Sequence, residues 1–96
     1  MDVRFRPRAE QDVDDAAQWY EAKRAGLGLR FTNEVDRAVA LIAERPTAFP
    51  PVHSDTRRAL VATFPFAVYY QVRNSTVVII AIIHTKRHPR SWRTQP

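Results

Sequence analysis

The stretch TVVIIAIIH, from Thr76 to His84, is the most apolar part of the chain. Because β-branched side chains suit a pleated strand and successive residues alternate between its faces, the run predicts a strand that is apolar on both faces. Such a strand belongs at the centre of a sheet that is covered on both sides, or on one side with a partner on the other. The run is far shorter than the roughly 20 residues of a membrane-spanning helix.

Two further strands are predicted before this run. Residues 66–73 alternate as a strand does, and residues 74–75 predict the turn that joins them to the central run. Residues 57–63 predict another strand. Residues 46–55 contain three prolines and predict a loop.

The N-terminal part predicts one strand followed by two helices. Residues 2–6 alternate like a short strand, whereas residues 8–24 and 29–44 carry apolar side chains at helical spacing. Acidic residues begin the first helix and basic residues end it, as the helix dipole favours, and the glycines of residues 26–28 break the pattern. The predicted fold class is α+β, in the order β-α-α-β-β-β. A helical hairpin packs on one face of a largely antiparallel sheet, in a single domain over residues 1–96.

Charge divides the chain into two unlike parts. Residues 1–55 carry all ten acidic side chains and eight basic ones, so their net charge is −2. Residues 56–96 carry seven basic side chains and no acidic one, which brings the net charge of the chain to +5. The basic residues of the second part are Arg57, Arg58, Arg73, Lys86, Arg87, Arg90 and Arg93. The planar fork of arginine suits phosphate and carboxylate, so this half predicts an anionic partner.

Several classes of protein and of site do not fit the sequence. Cysteine is absent and the N-terminus lacks the apolar segment of a signal peptide, which predicts a cytoplasmic protein. His84 and His88 have the i, i+4 spacing of metal ligands on a helix, but they follow a strand and precede a proline, so no metal is expected. With two glycines in the chain there is no phosphate-binding loop, and no cofactor is expected.

Short sequence strings on the predicted elements are typical of one family. They are Trp19-Tyr20-Glu21, Gly26-Leu27-Gly28 followed by Arg30-Phe31, Glu44-Arg45-Pro46, Phe49-Pro50, FPFAVYY at residues 64–70 and HTKRHPRSW at residues 84–92. The last string matches an H-x-x-R-x-P-x-x-W ending. Through these strings, from Val3 to Trp92, the chain resembles the RelE/ParE superfamily of toxins from bacterial type II toxin–antitoxin systems, and the ParE branch more closely.

The resemblance implies a small toxin that is neutralised by an antitoxin encoded beside it. A ParD-like antitoxin is typically a dimeric DNA-binding protein whose acidic C-terminal segment wraps the toxin. Toxins of the ParE type inhibit DNA gyrase, whereas those of the RelE type cut mRNA in the ribosomal A site. A non-toxic nucleic-acid-binding module is a third possibility, although no stacked aromatic motif accompanies the cations.

Cleavage of RNA needs an acid, a base and cations for the transition state. The family pattern draws them from Lys and Arg of the middle strands and a Tyr near the C-terminus, but no Tyr follows Tyr70. This departure favours gyrase binding over RNA cleavage. If the chain is an RNase, the candidate catalytic residues are His84, Arg87, His88 and Arg58. His84 ends a buried strand, however, and a histidine in that position is more often a hydrogen-bonded structural group than a catalyst.

Two sets of residues are predicted to bind proteins. The tail forms the candidate target-binding surface, because its clustered cations repel one another unless an anion arrives; its members are Lys86, Arg87, Arg90, Trp92 and Arg93. The candidate antitoxin-binding residues are Arg57, Arg58, Arg73, Trp19 and Tyr20. Arg57 and Arg58 are neighbours on a strand and therefore point to opposite faces. Trp19 and Tyr20 are more often packing residues than binding residues, whereas Trp92 suits the core and a partner equally.

Overall fold

Five strands and two helices make up residues 1–86, the part of the chain that the computed structural model describes. In chain order they are β1 (Asp2–Phe5), α1 (Pro7–Lys23), α2 (Leu27–Glu44), β2 (Pro51–His53), β3 (Thr56–Leu60), β4 (Phe66–Arg73) and β5 (Thr76–His84). The strands form one sheet with the order β1-β5-β4-β3-β2. The fold is α+β, as the sequence predicts.

The apolar run forms an interior strand of the sheet. β5 pairs with β4 antiparallel over its whole length, from Phe66 opposite His84 to Arg73 opposite Thr76. On its other side β5 pairs with β1 in parallel, but only along Thr76–Ile79. The prediction of a central strand in a largely antiparallel sheet is confirmed. The parallel pair brings the first strand of the chain beside the last.

Both helices cover the same face of this sheet. The apolar side chains of α2 recur at intervals of three and four residues, which places Phe31, Val35 and Ile42 on one side of the helix. They are buried in a core with Val68, Tyr70, Val77, Ile79 and Ile82 of the sheet. The predicted helical hairpin on one face is therefore confirmed.

The opposite face of the sheet carries a second buried cluster. Its members are Ala67, Tyr69, Ile80, Ala81 and Ile83, none more than 6% exposed. β5 has a β-bulge here, because Tyr69 pairs with Ala81 whereas Tyr70 pairs with Ile79, which leaves Ile80 as the extra residue. The bulge interrupts the alternation of β5, so that the consecutive residues Ile80 and Ala81 both lie in this second cluster.

One strand lies where a loop is predicted. Pro51–His53 forms β2, which pairs with β3 through Pro51 opposite Arg57 and His53 opposite Thr56. The loop prediction for residues 46–55 is wrong at this point. Proline is tolerated on an edge strand, whose outer N–H needs no partner in the sheet. A fully exposed strand of three residues has no alternation that the sequence could reveal.

The turn between the helices depends on glycine and on one carboxylate. Gly26 has φ +87°, a left-handed conformation that glycine adopts without steric cost. A Cβ atom on Gly28 would lie 2.6 Å from the carbonyl oxygen of Ala17, so only glycine fits where α2 crosses α1. The Glu21 carboxylate accepts hydrogen bonds from the N–H groups of Gly26, at 3.0 and 3.1 Å, and of Gly28, at 3.0 Å. These bonds satisfy amides that the start of α2 leaves without partners in the helix.

The same hydrogen bonds predict a pH-dependent stability. They lower the pKa of Glu21 below its ordinary value of 4.5, since the Gly26 and Gly28 amides favour the charged form. The contribution of Glu21 is fully present above the pKa of the unfolded chain and is lost as the pH falls through the folded-state pKa. Glu21→Gln, which resembles the protonated acid, is expected to be less stable than the native chain at pH 7 and equally stable in strong acid.

Urea unfolding at both pH values measures this difference. Glu44→Gln, on an exposed glutamate of α2, is the control and is expected to change the free energy of unfolding by less than about 0.5 kcal/mol at pH 7. An equal loss of stability for Glu21→Gln at both pH values would contradict the role of the charged carboxylate.

Candidate partner-binding surfaces

The neighbouring arginines of β3 have different roles. Arg57 lies on the helix-covered face, where its guanidinium donates to the carbonyl oxygens of Phe49 and, at 3.3 Å, of Thr47. The Tyr70 hydroxyl donates to the carbonyl of Pro46 at 2.7 Å. Burial raises the pKa of this phenol, although the nearby Arg57 charge acts in the opposite direction. Arg57 and Tyr70 thus hold the segment after α2 against the sheet, so Arg57 is engaged within the chain.

Arg73 also has partners within the chain. Its guanidinium forms an ion pair with Asp55 at 3.2 Å and donates to the side-chain oxygen of Gln71 at 3.0 Å. Gln71 in turn donates to the hydroxyl of the buried Thr56 at 2.9 Å. The network ties β3 to β4. Arg73 is therefore engaged within the chain, through an exposed ion pair with the last acid in the sequence.

Arg58 is the antitoxin-binding candidate on the sheet that remains available. It is exposed and lies on the face away from the helices, and its guanidinium forms no ion pair or hydrogen bond with another residue in the range 1–86. Leu60 lies two residues further along β3, on the same face, and is 64% exposed. A cation beside an exposed apolar side chain suits contact with an amphipathic partner. The sequence analysis missed Leu60, because an apolar residue on a strand predicts burial.

The two aromatic candidates of α1 are placed differently. Tyr20 packs inward against Phe31, Phe64 and Phe66, with ring centroids 5.4, 4.9 and 6.2 Å away. Trp19 is 58% exposed, and the Lys23 ammonium lies 4.7 Å from the centre of its ring. Tyr20 is therefore a packing residue, whereas Trp19 is a candidate for contact with a partner.

His84 takes part in local structure at the end of β5. Its Nδ1 accepts a hydrogen bond from the N–H of Lys86 at 3.1 Å, and its ring lies edge-on to Phe66, 5.3 Å away. Phe66 packs against Phe31 on the helix-covered face, so His84 and Arg58 lie on opposite faces of the sheet. The structure does not bring these two catalytic candidates together.

Most of the predicted tail surface lies outside the described residues. Arg87, His88, Arg90, Trp92 and Arg93 belong to residues 87–96, and of the target-binding set Lys86 alone is described. Lys86 is exposed and lies in the turn that follows β5.

Asp12 has a role that the sequence analysis missed. Its carboxylate accepts a hydrogen bond from the backbone N–H of Ile82 at 2.9 Å and lies 3.6 Å from the Nε of Arg8. Because β1 ends at Phe5 and pairs only with Thr76–Ile79, it does not reach Ile82, and Asp12 satisfies the amide of Ile82 instead. The helix dipole accounts for every acidic residue in the first turns of α1. Nothing local in the sequence therefore distinguished Asp12 from the other acids.

An acidic pocket of about 240 Å³ lies between the two helices. Phe5, Val13 and Val35 form its apolar part, with Glu10, Asp14 and Asp36 around them. No three His, Asp or Glu side chains within residues 1–86 come close enough together to hold a metal ion. Within the same range, neither helix combines the length and the apolar content that a membrane span requires.

Comparisons with known proteins agree on one relationship. A family model described as "ParE toxin of type II toxin-antitoxin system, parDE" matches residues 3–89. Among solved structures, a chain from the "Chromosomal ParDE TA system from P. aeruginosa" is similar to this chain, with a TM-score of 0.76 and 17% identity over 88% of this chain and 95% of that chain. At this identity the structural likeness concerns the fold. No curated protein sequence matches the chain significantly.

Proposed function

The chain belongs to the ParE toxin family of type II toxin–antitoxin systems, and on this premise we propose that it inhibits growth by binding DNA gyrase and is neutralised by a ParD-like antitoxin. The proposed inhibition of gyrase depends on surfaces that bind other proteins. The runner-up function is ribosome-dependent cleavage of mRNA, as in RelE-type relatives.

The placement of Arg58 and His84 is the observation that favours binding over RNA cleavage. General acid–base catalysis requires the proton-transfer group within hydrogen-bond reach of the reacting atoms, and the cations must surround the same phosphate. Arg58 and His84 lie on opposite faces of the sheet, and the Nδ1 atom of His84 already accepts the Lys86 amide. A common site for these two residues would require rearrangement of β5.

The charge distribution supports an acidic antitoxin as the first partner. No acid follows Asp55 in the sequence, and the exposed Arg58 and Lys86 have no ion pair within residues 1–86. Arg57 and Arg73 are engaged within the chain. Complementary charge mainly speeds association and fixes the register of a complex. The antitoxin contacts that we propose are therefore Trp19 on α1 and Arg58 on the opposite face of the sheet, two places that a wrapping segment can reach. The tail from Lys86 to Arg93 is the proposed target-binding surface.

Induction of the chain alone in a bacterial host tests the proposed target. Growth arrest with a DNA-damage response and intact mRNA is the expected result, and co-expression of the antitoxin from the neighbouring gene should restore growth. Primer extension that detects codon-linked cuts in translated messages would instead establish RNA cleavage. Normal growth at verified protein levels would contradict a toxin function for this chain.

Substitutions can separate the two surfaces. We expect Arg58→Ala to weaken antitoxin binding roughly tenfold, which corresponds to about 1.4 kcal/mol, because it removes a charge complementary to the acidic antitoxin. Toxicity should be unchanged. Arg87→Ala, Arg90→Ala and Trp92→Ala together are expected to relieve toxicity while the chain still folds and binds antitoxin. Arg30→Ala, on an exposed arginine of α2, is the control for lost positive charge. If the tail variant no longer folds, those residues are structural and the proposed target surface is wrong.

A further inference from the structure

β1 is an edge strand of the sheet and pairs on one side only, with β5. The Arg6 amide donates to the Ile79 carbonyl at 3.0 Å. Residues two apart on a strand direct their backbone groups to the same side, so Asp2 and Arg4 also face β5, whereas Val3 faces outward. Within residues 1–86 the outward amide and carbonyl of Val3 have no hydrogen-bond partner.

The other edge strand, β2, is protected against the addition of a further strand. Its first residue, Pro51, has no amide hydrogen, and its register with β3 shifts between Pro51 and His53. Proline and bulges both hinder pairing at the edge of a sheet. β1 has neither feature, because its register with β5 is regular and it contains no proline. Of the two edges of the sheet, β1 is therefore the one that can accept another strand.

The side chains of β1 are complementary to those of a second copy of β1. In an antiparallel pair centred on Val3, the two Val3 residues lie opposite each other, and Asp2 of each copy lies opposite Arg4 of the other. Asp2 and Arg4 are exposed, and neither side chain has an ion pair or hydrogen bond within residues 1–86. Opposite charges directly across two strands stabilise the pair, whereas like charges destabilise it. One symmetrical contact thus gives both charges of each copy a partner.

The helix-covered side of the same edge has room for an apolar side chain. Phe5, Val13 and Val35 form the apolar part of the pocket of about 240 Å³ between the helices. In the pair centred on Val3, Met1 of the second copy lies opposite Phe5 and on the same side of the sheet. Met1 is 52% exposed, and the flexible methionine side chain adapts to irregular apolar surfaces. Contact between Met1 and Phe5 would add apolar burial to the backbone pairing.

We propose that two copies of the chain associate by antiparallel pairing of their β1 strands. The Val3 amide of each copy donates to the Val3 carbonyl of the other, and an Asp2–Arg4 ion pair lies on either side of these bonds. A two-fold axis perpendicular to the sheet relates the copies, so the same residues meet from both. The contact joins two five-stranded sheets into one, with the helices of both copies on the same side. This association does not depend on the proposed function.

Reciprocal charge changes test the contact on the full-length chain. Sedimentation velocity of the native chain at concentrations up to about 1 mM is expected to show a monomer–dimer equilibrium. Asp2→Arg and Arg4→Asp each place like charges opposite one another in the symmetrical pair, so each should raise the dissociation constant at least roughly tenfold. An equal mixture of these two variants is complementary again and should form a mixed dimer. The double variant Asp2→Arg/Arg4→Asp should dimerise as the native chain does.

Hydrogen exchange locates the contact on the chain. The Val3 amide should exchange roughly tenfold more slowly, or slower still, as the native chain dimerises. The Arg4 amide faces β5 within each copy and should change little. Arg30→Asp, on an exposed arginine of α2, changes the net charge as Arg4→Asp does and should leave the dimer intact.

Three outcomes would overturn the proposal. A native chain that remains monomeric up to about 1 mM would exclude the association at the concentrations tested. Single variants that dimerise as readily as the native chain would place the contact away from β1. If neither the mixture nor the double variant regains the dimer, Asp2 and Arg4 do not lie opposite each other, and this result is independent of how well each single variant folds.

Discussion

Gly28→Ala is expected to destabilise the chain by about 3 kcal/mol, in the upper range for an overpacked site. The added Cβ would lie 2.6 Å from the Ala17 carbonyl oxygen, and this oxygen belongs to the backbone of α1, which cannot rotate away as a flexible side chain can. The methyl group would force α2 away from α1 and stretch the bond between the Gly28 amide and Glu21. Thermal unfolding should show a melting temperature that is lower by more than about 10 °C.

Gly26→Ala is the matched control for this substitution. Nothing lies within 4 Å of a Cβ atom on Gly26, but its φ of +87° is unfavourable for alanine. We expect a loss of about 1 kcal/mol from backbone strain alone. If Gly26→Ala destabilises the chain more than Gly28→Ala does, the close approach of the helices is not what requires glycine in this turn.

Phe31→Ala is expected to cost about 4 kcal/mol, as is typical for removal of a buried aromatic ring. Phe31 is fully buried, and its ring centroid lies 5.4 Å from that of Tyr20, 5.2 Å from Phe64 and 5.1 Å from Phe66. The resulting cavity would remove the common contact of α1, α2 and the sheet. Urea unfolding of the purified variant measures the loss of free energy.

The control for Phe31→Ala lies two residues away on the same helix. Leu29 is 65% exposed, so Leu29→Ala should change the free energy of unfolding by less than about 0.5 kcal/mol. A comparable loss in both variants would mean that helix propensity in the first turns of α2 determines stability, and not the aromatic cluster. Because Tyr20 adjoins Trp19 in this cluster, Phe31→Ala should also displace the exposed Trp19 surface.

The amino-acid sequence by itself determined the type and position of most elements. The apolar run Thr76–His84 was sufficient to predict an interior strand, because burial of both faces leaves no alternation. The helical spacing of Phe31, Val35 and Ile42 was sufficient to place one side of α2 in the core. The opposite directions of Arg57 and Arg58 also followed from the two-residue period of a strand. Each of these features depends on residues close together in the chain.

The tertiary structure alone decided which side chains are free and which strands pair. Arg57 is engaged because the carbonyl groups of Thr47 and Phe49 lie within its reach, and Arg58, one residue later, faces away from them. Asp12 and Ile82 are 70 positions apart in sequence, and the parallel pair of β1 with β5 is as distant. Such contacts depend on how the layers meet in space, and a local pattern of apolar and polar residues carries no information about a partner so far along the chain. The basic half predicted an anionic partner, but only the packing of the sheet distinguished its engaged arginines from its available ones.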